Sequence, residues 1–170
     1  FQYGSEANPR AHYETTAEEI IRDLPDVDVV VAGLGTGGTL MGNGRRLKEH
    51  NPNIRIVAAA PEPDDSISGL RSLEEGFIPP IFDQSLLDAR IMIPSKEAFK
   101  MTKELLSKDG VFAGVSSGAV VACALKVAKR MEKGNIVCLL ADGGWKYLST
   151  GLWAKSYEDL EMEVEGKVWW

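Results

Sequence analysis

The chain is sparing with the residues that announce a special environment: it has two cysteines, two histidines, and aromatic residues at 8% of its 170 positions. Cys123 and Cys138 lack the C-x-x-C spacing of a zinc ribbon or redox pair. Each falls in an apolar stretch, so both are expected as small buried thiols of a reducing compartment rather than as a disulfide. His12 and His50 stand apart, and no spacing of His, Cys, Asp or Glu suggests a metal site. His12 is expected in a structural hydrogen bond and His50 as a helix-end cation. No apolar run approaches the roughly 18 residues of a membrane helix, and no charged-then-apolar leader opens the chain. The net charge is -6 with Lys and Arg scattered, which leaves no basic stripe for nucleic acid or an anionic membrane. Repeats and low-complexity segments are also missing. Small-molecule chemistry in the cytoplasm is the expectation that survives these absences.

What is present is ordinary for one core: 44% hydrophobic and 26% charged residues. Short β-branched runs alternate with longer stretches of helical period, which predicts an α/β fold with a mostly parallel sheet and helices on both faces. The strands are expected at Val27 to Gly33, Ile54 to Ala60, Ala89 to Ile93 and Asn135 to Ala141, with a shorter one at Gly110 to Gly114. The first, second and last of the four long runs are continuously apolar, as parallel strands covered on both faces should be. Thr15 and Thr16 precede Glu18 and Glu19 by three residues each, a double capping-box signature for a helix from about Ala17 to Leu24. Further helices are expected from Gly38 to His50, from an N-cap at Ser95 to Lys108, and around the apolar stripe Val120 to Met131. The proline-rich stretch Pro61 to Pro80 predicts a long excursion from the C-terminal edge of the sheet, where open α/β sheets place ligands. Phe1 to Gly4 reads as the tail of a strand and carries no initiator Met, which predicts a piece of a longer protein.

Directly after the first strand comes Leu34-Gly35-Thr36-Gly37-Gly38-Thr39, opening a helix. Glycines let the backbone approach a ligand, free N–H groups of the helix start point at the same spot, and two threonines add hydroxyl donors. A phosphate can be held there without a lysine or arginine. The pattern Gly33-x-Gly35-x-x-Gly38 also fits the dinucleotide fingerprint of an NAD-binding Rossmann domain. That fold wants an acid about 20 positions on, at the end of the second strand. Here the strand ends in alanines, and the first acid, Glu62, lies beyond a proline. A glycine-rich turn used only for close packing is the plainer alternative.

Gly114-Val-Ser-Ser-Gly118 spells a hydrolase nucleophile elbow, but both histidines lie upstream, and the triad of that fold needs one downstream. Ser116 or Ser117 is left as a helix N-cap or as a hydroxyl for a ring nitrogen of a cofactor.

Five motifs in order extend the reading over the whole chain: Gln2-Tyr3 with Asn8-Pro9 and His12-Tyr13-x-Thr15-Thr16; Gly35 to Thr39; Gly76-Phe-Ile-Pro79; Gly114 to Ala119; and Asp142-Gly-Gly-Trp-Lys-Tyr-Leu-Ser-Thr150. With them the chain resembles the C-terminal half of the pyridoxal-phosphate (PLP) dependent cysteine synthases, the O-acetylserine and O-phosphoserine sulfhydrylases of fold type II. This implies the large-domain portion of a tryptophan synthase β-like enzyme, with a PLP-binding domain over residues 1 to 150 and a tail from 151 to 170. Ala32-Gly-Leu-Gly, the Trp-Lys-Tyr motif and the Trp-ending tail are most similar to the CysM-like branch of actinobacteria.

The resemblance implies that Gly35, Thr36, Gly37, Gly38 and Thr39 cradle the cofactor phosphate and that Ser116 bonds the pyridine nitrogen, with Ser117 as second candidate. It implies that Gln2 helps to hold the substrate carboxylate and that Arg71 meets the phosphate of O-phosphoserine; the plain reading of Arg71 is a solvated helix-end charge. It also implies a homodimer acting on an amino-acid substrate and a sulfur donor, with a sulfur-carrier protein among the candidate donors. Ala17 and Ala60 depart from the usual Pro and Glu, with packing changes expected. The Schiff-base lysine and the Asn-containing substrate loop belong to the other half of such enzymes, so no catalytic residue is expected among these positions. Lys146 is the one lysine of eleven that sits in a motif. A serine dehydratase, a cystathionine β-synthase and a non-catalytic α/β binding domain stay open beside the Rossmann reading. The terminal Trp169-Trp170 pair is expected to pack on the core, on a dimer partner or over the site.

Overall fold

The structure is a computed structural model and describes residues 1–164. Four strands, β1 (Val29–Gly33), β2 (Arg55–Pro61), β3 (Ala89–Ile93) and β4 (Ile136–Cys138), form one sheet in the order β3-β2-β1-β4, every pair parallel. Around them run α1 (Ala7–Glu14), α2 (Thr16–Asp23), α3 (Gly38–His50), α4 (Ser95–Asp109), α5 (Val115–Ala128) and α6 (Tyr157–Val164).

Alternation along the strands splits the core into two layers. Val30, Ala32, Ile56, Ala58 and Ala60 face Ala17 and Ile20 of α2 and Leu40, Met41 and Leu47 of α3. Val29, Val31, Val57, Ala59 and Ile93 face Ala98 of α4 and Ala119, Val120, Cys123 and Val127 of α5. A strand covered on both faces must be apolar at every position, and β1 and β2 are buried almost throughout. The α/β fold with helices on both faces is thus the one expected. Ala17 and Ala60, the two departures from the usual pattern, are fully buried in the first of these layers.

Several local expectations need correction. Phe1 to Gly4 form a turn, not a strand end. The last strand is shorter than Asn135 to Ala141 and only half-buried, because it lies at the sheet edge and pairs with β1 alone. Gly110 to Gly114 make no strand, only the isolated antiparallel bridge of Ala113 with Gly143. The capping box does not form: Thr15 Oγ1 donates to Ala11 O, and Thr16 Oγ1 meets the His12 ring. The helices α1 and α2 abut, so the N–H groups that a cap would serve lie against the end of the preceding helix. Ser95 is inside α4 rather than its N-cap; its N–H is taken by Asp65 Oδ2 at 2.6 Å, and its hydroxyl meets Tyr157 Oη.

The segment after Gly151 folds back onto α4 through Tyr157 against Phe99 and Lys103 Nζ on Lys155 O. Trp169 and Trp170 lie outside the described residues.

Both thiols are free, Cys123 buried and Cys138 half-buried. Burial, with the charge of Cys138 adding, pushes the Cys123 thiol up to about 12 from 9.0. The unfolded state therefore sheds its proton first, and between pH 9 and about 12 stability falls as pH rises. At pH 8 the folded chain holds about a thousandfold less Cys123 thiolate than the unfolded one. Iodoacetamide is accordingly expected to spare Cys123 until urea is added, which peptide mass mapping reads directly; equal labelling with and without urea is the contrary result.

Candidate functional site

The strand β1 ends at Gly33, and α3 begins five residues later, which leaves Leu34 to Gly37 to turn the chain at the C-terminal edge of the sheet. Gly37 makes that turn possible with φ 89°, a left-handed conformation that a side chain resists, and behind it the first amide of α3, Gly38 N–H, donates to Thr36 Oγ1 at 3.2 Å. The next amides of the first helical turn have no acceptor within the helix, and they lie at the C-terminal edge of the sheet.

At that edge is a cavity of about 510 Å³, lined by Gly35, Thr36, Gly37 and Thr39, by Ser116 and Val120 of α5, and by Gly69 and Leu70. Among the described residues, no lysine or arginine lines it. Gly69 and Leu70 belong to the Pro61 to Pro80 excursion, which does run over the strand ends as expected. It is tied down there by Arg71 N–H on Leu34 O at 2.7 Å and by the Asp65 bond to Ser95.

The structure brings together Gly35, Thr36, Gly37, Thr39 and Ser116 around this one cavity. Gly38 stands behind the cup: a Cβ there would overlap the Asn8 carboxamide. Of the two serines, Ser116 lines the cavity, whereas Ser117 is fully buried and its Oγ has no hydrogen-bond partner. Neither Gln2 nor Arg71 is in the lining. Gln2 is exposed, its carbonyl held by Asn8 Nδ2, which also holds Thr36. The Arg71 guanidinium sits over the rings of Tyr3 and Phe77, at 5.4 and 5.3 Å from their centroids. It is a clamped cation rather than a solvated helix end.

Two further groups complete the surroundings. His12 lines the cavity, with Nε2 3.1 Å from Thr39 Oγ1 and Nδ1 3.0 Å from Thr16 Oγ1; burial lowers its pKa, which favours the neutral ring. The sequence reading put His12 in a structural hydrogen bond without joining it to the cup. The clue was the i, i+4 spacing of Gly38 and Gly42, which marks a helix face that admits a close neighbour. On the far side Tyr147 Oη donates to Asp142 Oδ2 at 2.8 Å. Burial, then that carboxylate, raises the Tyr147 pKa, while a hydrogen bond with Ser68 lowers it. The C-terminal motif is thereby linked to the loop that carries Gly69 and Arg71. Lys146 lies 4.0 Å from Asp142 and over the Trp145 ring.

A parallel α/β sheet with a glycine–threonine turn at a helix start and a serine in the same lining, with no lysine or arginine among the described lining residues, makes a cavity whose donors are neutral. The neutral donor set of Gly35, Thr36, Gly37 and Thr39 at a helix start fits a phosphate group.

The chain belongs to the family of pyridoxal-phosphate dependent enzymes, whose pattern it matches over residues 2–142. It is 44% identical over 159 residues to a cysteine synthase of Aquifex aeolicus, covering 90% of this chain and 49% of that protein. It is 38% identical over 165 residues to a probable cysteine synthase of Bacillus subtilis, covering 90% of this chain and 53% of the other. The crystal structure of a cysteine synthase from Entamoeba histolytica superposes with a TM-score of 0.84 at 33% identity, over 99% of this chain and 54% of that one. An O-acetylserine dependent cystathionine β-synthase from Helicobacter pylori does so with 0.83 at 35% identity, over 90% of this chain and 53% of that one. The chain spans about half the length of the curated relatives it matches.

Proposed function

We propose that the chain is the phosphate-cup half of a PLP-dependent cysteine synthase, which makes L-cysteine from an activated serine and a sulfur donor by β-elimination and β-replacement. The observation that carries this is the joining, around one cavity, of the Gly35 to Thr39 cup and the Ser116 hydroxyl, in a fold shared with cysteine synthases. Gly35, Thr36, Gly37 and Thr39, with the first amides of α3, would hold the phosphate, and Gly38 would set its back wall. Ser116 would meet the pyridine nitrogen. When bound, PLP supplies an electron sink for cleavage of the bond to the β-substituent. A neutral hydroxyl at the ring nitrogen leaves the ring unprotonated, a mild sink suited to β-chemistry rather than to deeper carbanion chemistry.

Gln2 takes the substrate carboxylate in this reading, and Arg71 takes the substrate phosphate, which makes O-phosphoserine the preferred activated serine over O-acetylserine. The Schiff-base lysine comes from the other half of the enzyme, and among the described residues no lysine lines the cavity. The working protein is a cytoplasmic homodimer of the actinobacterial CysM-like branch, with sulfide or a sulfur-carrier protein as donor. A second reading, cystathionine β-synthesis, has support from the similarity to the Helicobacter pylori enzyme.

Ser116→Ala tests the pyridine assignment. In a protein that joins this chain to the lysine-bearing half, it is expected to lower kcat by about tenfold to a hundredfold, the range of one buried hydrogen bond, with a changed cofactor absorbance. Unaltered kcat and spectrum are the outcome against it.

A further inference from the structure

The helix α1 touches the cup in two places, and both contacts act on hydroxyl protons. Asn8 Nδ2 donates to Gln2 O and to Thr36 Oγ1, each at 2.9 Å. A backbone carbonyl can only accept, so Gln2 O dictates that the NH₂ side of the Asn8 amide faces this way. Thr36 Oγ1 also accepts from Gly38 N at 3.2 Å. Both its lone pairs are then engaged, and its own proton has to point elsewhere, toward the cavity that Thr36 lines.

One turn further along α1, His12 stands to Thr39 as Asn8 stands to Thr36. A neutral imidazole has one N–H and one bare nitrogen, so the line Thr16–His12–Thr39 can run in two directions. In one, Thr16 donates to Nδ1, Nε2–H donates to Thr39, and the Thr39 proton points into the cavity. In the other, Thr39 donates to Nε2 and offers only lone pairs to the cavity. An anion in the cup is repelled by lone pairs and attracted by the proton, so it selects the first direction.

We infer that Asn8 and His12, neighbours on one face of α1, are positioning residues that aim the hydroxyl protons of Thr36 and Thr39 at the anion in the cup, with Thr16 holding His12 in its Nε2–H tautomer. The residues of α3 make this possible. A Cβ at Gly38 would overlap Asn8, and one at Gly42 would overlap Pro9 O and lie 2.7 Å from His12 Cβ. Only with two bare positions at i, i+4 does α1 come near enough for side chains this short to reach the threonines. The device spends no cation: the donors are neutral, the Thr36 proton aimed before the anion arrives and the Thr39 proton when the anion selects the direction of the line.

The inference rests on the phosphate-cup reading, not on the identity of the substrate, and the experiment separates the two. Long-range ¹⁵N spectra of the 170-residue chain, titrated with inorganic phosphate, report the imidazole tautomer and the amides of Gly35 to Thr39 together. The expected result is shifted cup amides with Nε2 protonated and Nδ1 bare. Shifted amides with a bare Nε2 overturn the relay and keep the cup; unshifted amides overturn both. Variants give an independent readout: His12→Leu is expected to weaken phosphate about tenfold, while His12→Gln, which keeps an N–H near the Nε2 position, restores it to within about threefold. In a Thr39→Val background the His12→Leu loss is expected to shrink to less than about twofold, because the hydroxyl it aims is gone. Equal losses in both backgrounds refute the relay and leave His12 a packing residue. The tautomer measurement needs no substitution and stands even if a variant fails to fold.

Discussion

Gly42→Val is expected to lower stability by about 3 kcal/mol or more and to abolish phosphate binding at the cup. The position is a helix interior where valine would ordinarily be tolerated, so the effect has to come from across the contact. A side chain there meets Pro9 O, His12 Cβ at 2.7 Å and Tyr13 N at 2.9 Å. Two of the three are backbone of α1 and cannot swing aside. The helix must lift off α3, which withdraws Asn8 and His12 from the two threonines. Gly44→Ala is the matched control on the same helix. Its Cβ would find Ile56 at 3.7 Å and Leu86 at 3.8 Å, ordinary contact distances, so it should gain about 0.4 to 1 kcal/mol from reduced unfolded-state freedom. Urea midpoints for the two variants, with phosphate titrations beside them, check the pair. Similar midpoints would show that α1 and α3 are not packed this closely.

Arg71→Ala, in a protein that joins this chain to the lysine-bearing half, is expected to cut kcat/KM for O-phosphoserine by about a hundredfold and to change that for O-acetylserine less than about threefold. A guanidinium offers phosphate two parallel charge-assisted bonds, each about 1.5 to 3 kcal/mol, and offers a neutral acetyl ester nothing comparable. The rings of Tyr3 and Phe77 hold the cation in place beforehand, so little freedom is lost when the anion arrives. Arg71→Lys should recover only part of the loss, since an ammonium cannot reproduce the fork. Equal losses on both substrates would reduce Arg71 to a loop anchor, a role its backbone N–H on Leu34 O already fills.

Much of the fold was legible because its causes are local. Continuous β-branched runs marked β1 and β2, and Gly37 marked a turn that needs positive φ. The start of α3 was read at Gly38 and its end near His50, since a glycine start and an Asn-Pro stop leave little latitude. The helix α1 escaped notice for a physical reason. Only Pro9 of its residues is buried, so no apolar stripe betrays it. Its inward face is polar, Asn8 and His12, and it is held by hydrogen bonds and by glycines on another helix. The capping box at Thr15 and Thr16 misled for the same reason: the hydroxyls were recruited by α1.

By itself the sequence determined the alternation of strands and helices, the glycine–threonine turn after β1 and its suitability for an anion, because each of these follows from neighbours within a few positions. Tertiary structure alone decided which of two adjacent serines lines the cavity, since a one-residue step around a helix turns a side chain by about 100° and only the packing of α5 says which one faces in. It alone decided that β4 is an edge, and that Arg71 lies over two touching rings separated in sequence by 74 positions. And it alone set the partners of the threonine hydroxyls. A lone pair is engaged or left open according to what lies across from it, and that partner sits 27 or 28 residues away along the chain.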